Sequence, residues 1–350
     1  MKNENKKLDQ RNYYLDFLRG LAAINIIIIH TAFWSGGSYV PVAVESLTLL
    51  FDVPFFFFLA GWSFYYTREP GKAYKNLFNM QMKYLFFLII YSIILFLVNR
   101  SDFSFWNFVH WFFYIEPHAT KILPVVMGSI WFMPIYVQVT MIFSIAIYFT
   151  QLKNNTNIVL IVSLLGFLYT ELGQNFLFFD RYILFYGFLY TLGFLSVKYY
   201  LNANKLFVSL LVTITSILIV GKLLNKNIFD LQSLKFPPHF IYLLASLITI
   251  LIAMYFKKSA KIKATNFLVH IGQNAIFYYF SQGIATSICY YYVSLFNFRW
   301  YLKFLVIILI NILTTIAISE SMSFLYNLVH KWLSYKMVAL FKMSTKCSEK

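Results

Sequence analysis

Arg19 and His30 stand eleven residues apart in one apolar stretch, Leu15 to His30. An α-helix turns about 100° per residue, so this spacing leaves the two within roughly 20° of one face and about 16 Å apart along the axis. Asp16 lies one turn before Arg19 on that face, and Ala23 and Ile27 fall between Arg19 and His30. The chemistry on offer is a cation near one end of a helix and a titratable base deep within it. Ionisable groups in a membrane helix are costly and face the bundle interior, which makes the pair a functional candidate expected to look into one shared cavity. The plainer alternative is that Arg19, paired with Asp16, snorkels to the headgroups while His30 hydrogen-bonds a neighbouring helix.

The elements that position such a pair must be membrane helices. Hydrophobic residues make up 60% of the 350-residue chain and charged residues 12%, a surface water could not solvate. Aromatic residues are 21%, suited to interfacial belts. The net charge of +16 is spread over short loops, so membrane orientation explains it better than nucleic acid does. Cys289 and Cys347 lie in a span and a tail, with neither a disulfide framework nor a metal-ligand spacing around them. The first apolar run follows a charged segment and is too long for a cleavable signal core, so it is expected to remain as an anchor.

The fold class predicted is all-α, a polytopic transmembrane bundle of about ten spans. A basic cytoplasmic leader, 1–12, precedes a transmembrane domain, 13–325, and a basic cytoplasmic tail, 326–350. The expected spans are Tyr13–Trp34, 44–66, 84–98, 128–149, 158–170, 183–197, 206–220, Phe240–Phe256, one opening at Ile271, and 301–324. The fifth is short for a hydrocarbon core of about 30 Å. Residues 67–83 are expected to be a polar loop. In the long connection 99–127, the aromatic run 103–114 reads as a helix lying in the headgroup layer. His110 at its centre, with Glu116 and His118, is a candidate for contacting a sugar; a solvated interfacial belt is the plainer reading. Glu171, Asp180 and Arg181 flank the connection between the fifth and sixth spans.

Ten spans with the N-terminus inside place both termini on one side. About 20 of the 29 Lys and Arg then fall on that side and about 8 on the other, with Arg19 inside the membrane. Basic loops stay cytoplasmic, so the bias supports a multi-pass cell-membrane protein with both termini cytoplasmic. No internal repeat is evident, which leaves an inverted-repeat transporter without direct support.

The segment Tyr14-Leu15-Asp16-Phe17-Leu18-Arg19-Gly20-Leu21-Ala22, followed by His30, resembles the first helix of the integral-membrane acyltransferase 3 family, which carries an Arg, ten residues, then a His. Further likenesses run along the chain. The aromatic run 55–58 precedes Ala60-Gly61 where the family has a Ser-Gly pair. Trp131-Phe132-Met133 resembles its Trp-Phe-Leu signature, and Leu192-Gly193-Phe194 its Phe-x-x-Gly element. Gly272-Gln273-Asn274 resembles its Gly-x-Asn helix start, with Gln282 in the place of a family histidine. A glutamine donates and accepts hydrogen bonds but relays no proton.

The resemblance implies acyl transfer, most simply O-acetyl transfer, from a coenzyme A thioester to a sugar hydroxyl of a cell-surface polysaccharide or its lipid-linked precursor. Its partners would be acyl-CoA as donor substrate, the glycan acceptor and membrane lipids, with no permanently bound cofactor, metal or nucleic acid. Arg19 and Asp16 would hold the donor. Two roles are open to His30: general base toward the acceptor hydroxyl, or nucleophile forming an acyl-imidazole. Trp131, Glu171, Gln282 and His110 would line the substrate path. A glycan exporter or flippase on the same helices is the competing class, expected to hold a broad polar cavity; a scaffold subunit is the blandest.

Overall fold

In the computed structural model the described residues are 11–115, 119–174, 176, 179–348, and most of them are helical. Helix α1 is Tyr13–Trp34, as expected. Asn12 caps it by accepting from the Leu15 backbone N–H, and Asp16 in its first turn suits the positive helix end.

The second crossing is broken. Helix α2 (Val42–Thr48) passes through a 3₁₀ turn, Leu49–Phe51, to Asp52 in extended conformation, and α3 (Val53–Thr67) begins anew. Pro54, at the start of α3, cannot donate to the preceding turn, which favours a new helix start there. The carbonyls freed at the break find partners. Asn25 of α1 donates to Thr48 and Phe51 at 2.9 and 2.5 Å, and Thr249 donates to Leu50 at 2.8 Å. Satisfying such groups internally is what permits irregular backbone at membrane depth.

Helix α4 runs Pro70–Val98, so most of the expected polar loop 67–83 is its first turns. The segment expected in the headgroup layer, α5 (Phe105–Phe112), packs along α4. Tyr84 donates to the Trp111 carbonyl at 2.8 Å, about 20 Å of helix rise from Val98, and Trp111 is fully buried. Glu116 and His118 lie outside the described residues.

Then come α6 (Pro124–Ser129), α7 (Phe132–Leu152), α8 (Asn157–Glu171), α9 (Arg181–Ser196), α10 (Ala203–Leu223), α11 (Phe240–Phe256), α12 (Phe267–Gln273), α13 (Ala275–Tyr292) and α14 (Trp300–Ser348). The expected tail from 326 onward continues α14 as helix to Ser348. Among the described residues, six stretches are long and apolar enough to cross a membrane: α1, α2–α3, α4, α6–α7, α10 and the first part of α14. Ten is more than that. The difference lies in α8, α9 and α11, which are short, and α13, which buries Ser281, Gln282, Thr286 and Ser287.

Two glycine contacts set the helices that matter. At Gly20 of α1 and Gly272 of α12 any Cβ would overlap the other helix's backbone, and the same holds for Gly61 of α3 and Gly193 of α9. Backbone-to-backbone packing of this kind is how helices associate without a hydrophobic drive between them.

Candidate active site

The N-terminal half of α1 carries the arginine. Asp16 is buried and pairs with Arg11 at 2.6 Å and Arg19 at 3.2 Å. Arg19 lines two adjoining cavities of about 180 and 210 Å³. The first adds polar groups of Ser63, Thr67, Asn76 and Tyr190; the second is closed by Phe132, Tyr136 and Tyr279.

The histidine lies at the other end of the helix in a different setting. His30 is buried and packs edge-to-face on Trp34, ring centroids 4.5 Å apart. It faces Gln282 of α13 and feels the charge of Lys235. Lys235 comes from the connection between α10 and α11, yet it is buried. Its Nζ lies 2.6 Å from Asp52 Oδ2, over the rings of Trp131 and Phe236. Tyr242 donates to the same carboxylate oxygen at 2.7 Å. Ser46 fastens the Lys235 loop from below, donating to the Phe229 carbonyl at 2.6 Å and accepting from the Leu231 N–H at 3.0 Å.

The remaining polar groups here are unmatched. His30 Nδ1, Asp52 Oδ1, both amide atoms of Gln282 and the Tyr186 hydroxyl are buried short of a well-formed hydrogen bond, with His30 and Gln282 close enough to interact with each other. Each such group costs on the order of 1–3 kcal/mol. Several around one charged pair leave polar valences there that water or another molecule's polar atoms would fill. A neighbouring network is complete by contrast: Asn311 donates to Thr31 and Thr286 at 2.8 and 2.9 Å, tying α14 to α1 and α13 beside His30 and fixing their register.

The expected sharing of one cavity by Arg19 and His30 is not what the structure places. Both Arg19 cavities stop short of His30. Between them lies an aromatic layer: Phe132 meets Tyr136 at 5.9 Å and Tyr279 at 4.7 Å, and Phe57 stacks on Tyr186 at 4.2 Å. Phe132, Tyr136 and Tyr279 of this layer close the second Arg19 cavity.

Of the residues singled out from sequence, His30, Gln282 and Trp131 converge around Lys235, while Arg19 and Asp16 lie across the aromatic layer. Glu171 and His110 lie elsewhere. Glu171 caps α11, accepting from the Phe240 N–H at 3.0 Å, and pairs with His239 at 3.0 Å and Arg181 at 3.4 Å. His239 Nδ1 accepts from the Ile241 N–H at 3.2 Å, so its Nε2 is the nitrogen free to donate to Glu171. Burial holds this imidazole below the usual histidine range, against the pull of Glu171. His110 sits on α5, away from the Lys235 cluster.

Asp52 and Lys235 were missed. An Asp two residues before a Pro inside an apolar run was the available signal for the first, since that pattern suits a helix start. Lys235, four residues before His239 in a polar loop, carried no signal that the loop turns inward.

A family model described as an acyltransferase domain, acyltransferase 3, matches residues 12–320. The chain belongs to the acyltransferase 3 family. No curated protein and no solved structure matched it. The match spans every helix named above except the end of α14, and it makes this acyltransferase a membrane protein whose buried cluster and arginine cavities stand at opposite ends of one helix.

Proposed function

We propose that this membrane acyltransferase moves an acyl group, most simply acetyl, from acyl-CoA to a sugar hydroxyl of a cell-surface polysaccharide or its lipid-linked precursor. The observation that carries the reading is the set of unmatched buried polar atoms around His30, Asp52, Gln282 and Lys235 in a chain of this family. Arg19, at the end of α1 nearer the basic loops, binds donor phosphate, with Asp16 holding the guanidinium in place. The pantetheine arm, on the order of the 16 Å between Arg19 and His30, reaches His30 only when the aromatic side chains between the two swing aside. The acceptor oxygen attacks the thioester carbonyl while His30 takes the hydroxyl proton. The C–S bond breaks, and the proton is returned to the leaving thiolate as CoA-SH. The Lys235 ammonium and the Gln282 amide donate to the developing oxyanion, where preorganised donors contribute most. Cavities of about 180 and 210 Å³ suit a single extended arm rather than an oligosaccharide in transit.

The test is a strain lacking the gene, complemented with wild type or His30→Ala at matched membrane levels. NMR of surface glycan is expected to show base-labile acetyl with wild type only. Ester signal restored by His30→Ala refutes the assignment, and glycan missing altogether from the deletion strain favours an exporter.

A further inference from the structure

We infer that the cleft between the end of α1 and helix α6 is the acceptor's docking site, taking one sugar ring of the glycan. This rests on the acyl-transfer reading. The cleft holds about 420 Å³ and is walled by Trp34, Val125, Gly128 and Tyr290, with Gly36 and Ser38 at its rim. Neither His30 nor Gln282 lines it, but two of its walls pack on their surroundings. Trp34 packs on the His30 imidazole from the outer side. Helix α6 packs its other face on Gly283, where any Cβ would press on Ser129 and Val126, directly beside Gln282. A ring seated here therefore lies against the two elements that bracket His30 and Gln282.

The chemistry of the walls selects the ligand. Trp34 and Tyr290 offer aromatic faces for the C–H edge of a sugar, and Ser38 with the 36–38 backbone offers polar atoms at the rim. Gly36 and Gly37 adopt φ of 100° and 69°, a left-handed backbone that glycine reaches without penalty. A Cβ at Gly36 would strike Tyr290 and Val293, so the turn lies tight on α13 and shapes the rim. The cleft is at the end of α1 remote from Arg19, so donor and acceptor approach His30 from opposite ends.

Gly128 makes the proposal testable, because a Cβ built there meets nothing within 4 Å and a larger side chain projects into open cleft. The experiment uses full-length protein in liposomes, radiolabelled acetyl-CoA, and envelope glycan extracted from the deletion strain as acceptor. Gly128→Leu is expected to raise the apparent KM for glycan at least about tenfold, with the KM for acetyl-CoA unchanged. Gly128→Ala is expected to behave as wild type, and Trp34→Leu to raise the glycan KM. A wild-type glycan KM in Gly128→Leu overturns the cleft assignment while leaving the reaction itself in place. The same KM accompanied by loss of a co-purifying lipid makes the cleft a lipid site and also overturns it. If wild type transfers no label to this glycan, the acyl-transfer reading falls and the cleft assignment with it.

Discussion

Lys235 changes what surrounds His30. A buried ammonium, held by Asp52 and lying over Trp131, puts a fixed positive charge near His30, the charge that the proposed mechanism uses to stabilise the oxyanion. Removing one partner of a buried ion pair typically costs about 3–5 kcal/mol, whereas replacing both with apolar groups is often neutral. Asp52→Leu is therefore expected to lower the thermal unfolding midpoint measured in detergent, and Asp52→Leu combined with Lys235→Met to recover it. The double variant is expected to stay folded and transfer no acyl group. A single variant as stable as wild type would show that the pair is solvated rather than buried. At this scale the sequence was legible where helix periodicity carried the information: Arg19 and His30 stand on α1 as counted, and Asp16 does pair with Arg19. It was silent where a loop turns inward, because periodicity says nothing about the depth of residues 224–239.

At the scale of elements, the first helix came out with the bounds expected of it, since its apolar run is uninterrupted and Asn12 caps it. The second crossing was legible only in outline. Asp52 and Pro54 were visible, but the break depends on Asn25 and Thr249 supplying partners from other helices, and tertiary partners leave no mark in a single span. In the aromatic segment 105–112, Trp111 is buried on Tyr91 while Phe105 and Trp106 stay exposed, since one set of rings suits both a packed face and an apolar surround. The junction of α8, α9 and α11 carries a pH prediction. His239 is held neutral in the fold by burial, so the unfolded chain takes up its proton first as pH falls through the ordinary histidine value of 6.5. Its contribution to stability is present above that value and lost as pH falls below it toward the lowered native pKa. Protonation at Nδ1 would also remove the cap on the Ile241 N–H. The unfolding midpoint is expected to drop between pH 7.5 and 5.5 in wild type and to drop less in His239→Gln. Equal slopes in the two proteins would contradict this.

For the whole molecule, the broad class followed from composition alone, and the family followed from the Arg-to-His spacing with the weaker likenesses behind it. The number of crossings did not, because short helices and helices lined with polar groups are hidden by an apolar average. The arrangement that emerges has an arginine at two small cavities near the start of α1, an aromatic layer, and a buried polar centre around His30. Its central claim is that the acyl group meets its acceptor at His30. Proteoliposomes carrying radiolabelled acetyl-CoA on the side of the chain termini and deletion-strain glycan on the other test it most directly. Wild type is predicted to label the glycan, and His30→Ala to fall by about 10²-fold or more. Labelling by His30→Ala at the wild-type rate would contradict the account.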